Sequence, residues 1–199
     1  RLHLCHHNLE SISDYDSNAK HKLLLEVCMA AKEEGASITR YHGKHKLDND
    51  NSGSKLCTEL ARSFADIGDI VRGKDLFLGN TYESAQRKVL DEKLKTIFKQ
   101  IHDDVMKTSS NNKEVLKTRY QDDNGGNYYQ LREDWWTANR HTVWEAITCG
   151  AHGSYFHATC GDEEKKSTLA SNKCRCNDNQ VPTYFDYVPQ YLRWFEEWA

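Results

Sequence analysis

The sequence predicts an all-α protein, a helical bundle with long polar loops that is stapled by disulfides. Only 2 of its 199 residues are Pro, so few segments are barred from forming a helix. Apolar residues recur at helical spacing in several segments, and no run of alternating apolar and polar residues predicts a strand. Aromatic residues make up 11% of the chain and supply large side chains for a core, although hydrophobic residues reach only 38%.

The first predicted helix begins after Ser17 or Asn18, because either side chain can cap the first turn. Gly35 is expected to end it, since glycine commonly follows the last helical turn. Its apolar face carries Leu23, Leu24, Val27, Cys28 and Ala31. The residues that follow, 40–54, are polar and are expected to form a loop.

The second predicted helix runs from Ser54 to Gly73. Its apolar residues repeat at steps of three and four positions: Leu56, Leu60, Phe64, Ile67 and Val71. Asp66 and Asp69 fall on the other side of this helix. The segment is therefore expected to be amphipathic.

The third predicted helix begins at Asn80, which forms a capping-box pattern with Glu83. Its apolar positions continue to Val105. Residues 108–126 follow it and contain many turn-forming residues, so we expect a loop there.

The fourth predicted helix covers about residues 128–148 and is rich in tryptophan. The helical spacing of Trp135, Trp136 and Trp144 favours a core role over a sugar-stacking site. Residues 150–183 are polar and are expected to form a long loop. A last helix begins with Pro189 in its first turn.

The seven cysteines are disulfide candidates: Cys5, Cys28, Cys57, Cys149, Cys160, Cys174 and Cys176. Their odd number leaves one thiol free or bonded outside the chain, which suggests a fragment of a larger protein. Cys174 and Cys176 are expected to bond to different partners, because a bridge between them would close a small, strained ring. Reduced structural thiols and a zinc site are the alternatives, but C-x-C is not a common zinc spacing, so no metal is expected.

Several function classes are disfavoured by composition and motifs. The net charge of −3 argues against a nucleic-acid partner. No apolar run approaches the length of a membrane span. The chain contains no phosphate-binding loop, dinucleotide fingerprint or zinc-protease motif, so neither enzymatic activity nor a cofactor is expected.

Basic and aromatic residues are interleaved in residues 40–46. Arg40, Tyr41, Lys44 and Lys46 are candidate contacts for a sulfated glycan or phosphate, because their donors complement dense negative charge. The alternative interpretation is a solvated loop whose charge is offset by the acidic residues that follow it.

Several sequence blocks resemble the signature of Duffy-binding-like domains. They are ARSFADIGDIVRGKDL at residues 61–76, REDWWTANR at 132–140, VWEAITC at 143–149 and PQYLRWFEEW at 189–198. Together with RLHLC at residues 1–5, they follow the family's order along almost the whole chain. The combination resembles the alpha-class domain of Plasmodium falciparum erythrocyte membrane protein 1 variants.

The resemblance implies an all-helical, disulfide-stapled domain of three subdomains. This chain would hold the end of the first subdomain at about residues 1–53 and most of the second at about 54–199, without the third. The four cysteines from Cys149 to Cys176 resemble the four-cysteine alpha subtype. The residues that the resemblance assigns to the scaffold core are Phe64, Ile67, Trp135, Trp136, Trp144 and Trp194.

The resemblance also implies an adhesin on the outer face of the infected erythrocyte, anchored by a transmembrane segment of the parent protein. The expected partners are a glycosaminoglycan, blood-group sugar or protein receptor on red cells or endothelium, and host antibodies. We therefore expect a receptor-binding module that mediates rosetting or cytoadherence and undergoes antigenic variation. The alternative is a non-adhesive structural and antigenic head domain, with adhesion carried by other domains of the parent.

Overall fold

The computed structural model describes residues 19–45, 52–76, 81–108, 113–121, 125–155, 158–161, 168–170, 173–176 and 180–195. We number its helices α1 (Ala19–His45), α2 (Ser52–Arg72), α3 (Thr81–Thr108), α4 (Lys113–Arg119), α5 (Tyr129–Ile147) and α6 (Gln190–Phe195). A 3-10 turn, Phe185–Tyr187, precedes α6. These residues contain one isolated β-bridge and no strand, so the predicted all-α class is confirmed.

Helix α1 continues through Gly35, so the prediction that this glycine ends the helix is wrong. A Cβ atom at position 35 would lie 1.9 Å from the carbonyl oxygen of Ile147, the last residue of α5. Gly35 therefore permits a close approach between the two helices. Because α1 does not end at Gly35, residues 40–45 form its last turns and not the predicted loop. The proposed helix caps Ser17, Asn18 and Asn80 lie outside the described residues.

Helix α2 begins at Ser52, slightly before the predicted start, and ends directly before Gly73 as predicted. Asp69, placed by the sequence on the side away from the apolar face, is only 3% exposed. The position is buried because Arg72 and Arg193 neutralise its charge, as described below. The prediction that α2 is simply amphipathic is therefore wrong at this position.

The predicted loop at residues 108–126 contains the short helix α4. No residue of α4 is buried. The segment consequently lacks the apolar periodicity by which helices are recognised in a sequence, and this explains why it was not predicted.

The core forms where α1, α2 and α5 pack together. Phe64 of α2 lies between Trp136 and Trp144 of α5, with ring-centroid distances of 5.1 and 5.2 Å. A Cβ atom at Gly68 would lie 2.8 Å from the Trp136 ring, so the glycine makes room for the indole against α2. Large aromatic side chains thus fill the space between these helices.

The structure places the other proposed scaffold residues as follows. Ile67 is 2% exposed, and Trp135 is 4% exposed and contacts Phe98 of α3 edge-on. Trp194 belongs to α6, but its side chain lies outside what the structure describes. Residues of α1 share one apolar cluster with α2 and α5, and the subdomain boundary near residue 53 stays a prediction.

Two disulfides hold the chain that follows α5. Cys57 of α2 is bonded to Cys174, and Cys160 is bonded to Cys176. Cys174 and Cys176 therefore have different partners, as predicted. Hydrogen bonds from the Tyr155 amide to Ala170 and from the Trp144 indole to the Cys174 carbonyl add to this attachment. Among the described helices, none has the length and apolar character needed to cross a membrane.

Candidate functional site

The candidate glycan contacts lie on the last turns of α1. Arg40 and Tyr41 are both exposed. Position 44 follows Arg40 by one helical turn and therefore belongs to the same side of α1. The side chain of Lys44 and the whole of Lys46 lie outside the described residues. The structure thus places Arg40 and Tyr41 as exposed neighbours on the last turns of α1, while the contribution of the two lysines stays a prediction.

The end of a helix also provides a structural reason for basic residues. Carbonyl groups at a helix C-terminus carry partial negative charge, and nearby cations stabilise it by about 0.3–1 kcal/mol each. His42 Nδ1 lies 3.7 Å from Glu59 Oε2, which joins this end of α1 to α2. Basic character alone therefore does not distinguish a glycan site from a stabilised helix end.

A buried set of charges joins α2, α5 and the C-terminal segment. This charge network consists of Asp66, Asp69, Arg72, Arg140, Asp186 and Arg193. Arg193 Nη2 lies 2.5 Å from Asp69 Oδ2 and 3.0 Å from Asp66 Oδ1. Arg72 Nη2 donates to the other Asp69 oxygen at 2.9 Å. Burial raises the pKa of Asp69, and the hydrogen bonds and charges of the two arginines oppose this rise.

Asp186 is the acceptor at the centre of the C-terminal attachment. Arg140 donates to its two carboxylate oxygens through Nε and Nη2, each at 2.8 Å. The Trp136 indole nitrogen donates to Oδ2 at 2.9 Å. Because Asp186 is only 1% exposed, all these groups depend on one another for their hydrogen bonds. They fix residues 183–193 against α2 and α5.

Sequence reasoning did not find the charge network. Its members on α2 are Asp66, Asp69 and Arg72, which repeat every three residues. This spacing places them on one side of the helix and was the one indication in the sequence that they act together. Their partners, however, lie far along the chain: Arg193 is 124 positions from Asp69. Spacing within one helix gives no information on such distant pairs.

A groove of about 600 Å³ runs beside α3, and its walls include Ile70, Tyr129 and charged residues of α3. Lys95 lies 2.9 Å from Glu92 and 3.1 Å from Asp91, and the hydrogen bonds that its ammonium group donates to these two carboxylates raise its pKa. Since these charges along the groove pair with one another, a structural role for them is favoured over ligand binding.

The remaining cysteines support neither a metal site nor a nucleophile. Cys28 and Cys149 are free thiols within the described part of the chain, and their role as disulfide partners stays a prediction. Burial, and then the charge of Glu145, raises the pKa of Cys28 to about 11, so its thiol stays protonated at neutral pH. Cys5 lies outside the described residues. Within the described part of the chain, no group of three His, Cys, Asp or Glu side chains is placed to hold a metal.

Comparison with known proteins identifies the fold. A protein-family model described as the Duffy binding domain matches residues 1–193. The ICAM-1-binding PfEMP1 IT4var13 DBLbeta domain is 32% identical to this chain, with a TM-score of 0.68 over 100% of this chain and 41% of that chain. The structure of this DBLbeta domain bound to ICAM-1 gives 32% identity and a TM-score of 0.67 over 100% of this chain and 42% of that chain.

A DBLb domain of PfEMP1 bound to human ICAM-1 is 28% identical, with a TM-score of 0.64 over 98% of this chain and 38% of that chain. No curated protein matches the chain. The chain thus spans about two fifths of the length of these solved structures. These neighbours are beta-class domains, and the alpha class inferred from the sequence stays a prediction. The chain belongs to the Duffy binding domain family, whose members are receptor-binding adhesins and not enzymes, and it corresponds to part of a Duffy-binding-like domain of PfEMP1.

Proposed function

We propose that this chain is part of an adhesion module that binds a receptor on host cells. The observation that carries the proposal is its similarity, over its whole length, to a PfEMP1 domain described as ICAM-1-binding. Two disulfides agree with an extracellular, oxidising location. We assign the module to the outer face of the infected erythrocyte, held there by a transmembrane segment elsewhere in the parent protein.

The division between scaffold and surface suggests how such a module works. The aromatic core and the charge network hold the helices in fixed positions, and exposed side chains on helix ends and loops contact the receptor. Because these contacts lie outside the core, they vary without loss of the fold. Such variation suits antigenic change and escape from host antibodies, and receptor binding produces rosetting or cytoadherence.

Two receptor chemistries have support. Two of the solved neighbours are bound to ICAM-1, which favours a host protein receptor. The exposed Arg40 and Tyr41, which two further lysines follow in the sequence at positions 44 and 46, favour a sulfated glycosaminoglycan. Glycan binding to basic residues weakens with salt, whereas binding to an apolar protein surface does not.

A second candidate function is a non-adhesive scaffold and antigenic domain. The observation that favours it is length, because the chain covers only 41% of the ICAM-1-binding relative. In this case the receptor contacts lie in the remainder of the parent protein.

The test is a binding measurement with the oxidised chain, whose disulfides are first verified by mass spectrometry. The chain is passed over immobilised ICAM-1 and over immobilised heparin at low and physiological salt. Its longer parent domain is measured in parallel. We expect saturable binding of the 199-residue chain to at least one of these ligands.

The outcomes separate the two candidates. Binding to heparin that salt abolishes supports a glycan adhesin, and binding to ICAM-1 that salt leaves intact supports a protein receptor. Absence of binding by the folded chain, with binding by the longer domain, would overturn the adhesion role of this chain and support the scaffold function.

A further inference from the structure

The side of α1 that points away from the core carries a continuous exposed stripe. We call it the α1 stripe, and its members recur at steps of three or four positions: His21, Leu25, Met29, Lys32, Ala36 and Arg40. Residues at these steps share one side of a helix. At 1.5 Å of rise per residue, the stripe extends about 22 Å from Leu25 to Arg40. All of its members are exposed, so the described part of the chain leaves this side of α1 uncovered.

The opposite side of α1 holds the helix in place. Leu23, Val27 and Ala31 are completely buried there, in the core that α1 shares with α2 and α5. A helix that is fixed through one side presents its other side in a defined position. A partner that covers the α1 stripe therefore has little backbone to order on binding.

The N-terminal half of the α1 stripe is apolar. Leu25 is 59% exposed, and Met29, one helical turn further along, is 46% exposed. A single exposed apolar side chain is ordinary, but two adjacent ones contribute free energy when a partner removes them from water. The flexible Met side chain also adapts to the surface that it contacts. This half of the stripe favours contact with an apolar surface.

The C-terminal half of the α1 stripe is basic. Lys32 and Arg40 are exposed, and neither takes part in an ion pair within the described part of the chain. By contrast, Lys95 and Lys99 are paired with acids of their own helix, α3. The two cations of the stripe therefore lie open in a chain whose net charge is −3, and they attract a partner of opposite charge.

The two halves together distinguish between the classes of partner. A sulfated glycan is charged along its length and offers no apolar surface to Leu25 and Met29. Exposed Glu33, which borders the basic half, repels such a chain. A protein surface provides apolar and acidic groups side by side, and Met and Arg are enriched in protein interfaces. The composition of the α1 stripe favours a protein.

We propose that the α1 stripe is a contact surface for a host-cell protein, which covers Leu25 and Met29 with an apolar patch and pairs Lys32 and Arg40 with acidic side chains. The inference rests on the proposed adhesion function and specifies the class of its receptor. It also extends the candidate site from the last turns of α1 to the middle of the helix.

The first experiment measures binding of the oxidised chain to uninfected red cells by flow cytometry. The cells are used untreated, after heparinase, and after proteinase K. We expect proteinase K to abolish binding, because it removes host surface proteins, and heparinase to leave binding unchanged. Binding that survives proteinase K, or that heparinase abolishes, would overturn a protein partner.

The second experiment compares double variants in the two halves of the stripe. Leu25→Gln/Met29→Gln removes apolar surface but keeps good helix formers, and Lys32→Glu/Arg40→Glu reverses the charge. We expect each double variant to raise the dissociation constant on red cells by about tenfold or more. The charge reversal should weaken binding more than Lys32→Gln/Arg40→Gln does, because it opposes an acidic partner with like charge.

The matched controls lie on α3. Tyr82→Gln/Val89→Gln removes two side chains that are 73% and 48% exposed, and Lys88→Glu/Lys93→Glu reverses two charges. We expect both controls to bind red cells as the parent chain does. Circular dichroism checks that every variant keeps its helical content.

The outcomes separate this inference from the function on which it rests. If the parent chain binds and Leu25→Gln/Met29→Gln or Lys32→Glu/Arg40→Glu binds equally well, adhesion stands and the α1 stripe is not its contact surface. Equal losses in the α3 controls also overturn the assignment to α1. If the folded parent chain binds no red cells, the adhesion function itself fails, and this inference fails with it.

Discussion

Two stretches that follow α5 lack long helices, and they are attached to the core in different ways. The described parts of residues 151–181 are held covalently, through Cys57–Cys174 and Cys160–Cys176. Residues 183–193 are held by charge, through the bonds that Asp186 and Arg193 make with α2 and α5. A cross-link acts mainly by restricting the unfolded chain, whereas a buried charge network acts only when every partner is in place. Segments without long helices can therefore be fixed to one scaffold in two ways. Loss of a disulfide gives the unfolded chain more freedom, whereas loss of one charged residue leaves its buried partners unpaired in the folded state.

The largest expected losses of stability follow from removing the disulfides, and the two disulfides should differ in the size of the loss. Cys57 and Cys174 are 117 positions apart, whereas Cys160 and Cys176 are 16 apart. Replacing the first pair by alanine should lower the free energy of unfolding by about 5 kcal/mol, and replacing the second by about 3 kcal/mol, because longer loops lose more entropy on closure. Guanidinium denaturation of both double variants checks this order. Equal losses would contradict the loop-entropy explanation.

Removing Asp186, the central acceptor of the charge network, should lower the free energy of unfolding slightly less than removing the Cys57–Cys174 disulfide. Asp186→Ala leaves Arg140 and the Trp136 indole without their buried acceptor, and we expect a loss of about 4 kcal/mol in the free energy of unfolding. Asp103→Ala on α3 is the control, and it should lower the free energy of unfolding by less than about 1 kcal/mol, because it removes only a partly exposed ion pair with Lys99. A loss below about 1 kcal/mol for Asp186→Ala would show that the segment is held by other contacts.

A smaller, pH-dependent effect is expected at Asp134 of α5. Hydrogen bonds from Arg119 at 2.7 and 2.8 Å, and others from Tyr120 and Gln130, lower the pKa of this carboxyl. The stabilisation is therefore present above the unfolded-state pKa of about 3.9 and is lost as the pH falls through the lower folded-state pKa.

Asp134→Asn should accordingly lower the thermal midpoint by about 2 °C at pH 7. The difference from the parent chain should decrease as the pH falls below about 3.9 and disappear once the pH lies below the lowered folded-state pKa of Asp134, where the carboxyl of the parent is protonated as well. Scanning calorimetry from pH 2 to pH 7 measures both. A difference that persists unchanged in acid would mean that the substitution acts through packing and not through the charge of Asp134.

The covalent attachment was partly predictable from the sequence, and the ionic one was not. The strain in a bridge between Cys174 and Cys176 predicted that each has another partner. The sequence predicts that Asp69 is exposed, because a carboxylate in an amphipathic helix ordinarily faces solvent. Its buried partner Arg193 lies 124 positions further along the chain, so local spacing does not reveal the pair. The boundaries of α2 and α5 followed from apolar periodicity and Gly73.

The errors at α1 and α4 have different physical causes. Gly35 was interpreted as a helix end because local sequence does not distinguish a terminating glycine from one that a neighbouring helix requires. Helix α4 buries no residue, so no apolar pattern marked it. For the candidate site, the sequence supplied the residues, but the structure changed the setting of Arg40 and Tyr41 from a loop to the end of a helix.

The measurement that tests the adhesion account most directly is binding of the oxidised chain to uninfected red cells, by flow cytometry, with two matched triple variants. The first replaces Arg40, Lys44 and Lys46 by alanine. The second replaces Lys93, Lys95 and Lys99 of α3 and so removes the same charge from another surface. We expect the first variant to lose binding while remaining folded by circular dichroism, and the second to retain it. Equal binding by both variants and the parent chain would contradict the glycan-binding form of the proposal, in which Arg40 and the two lysines contact the receptor.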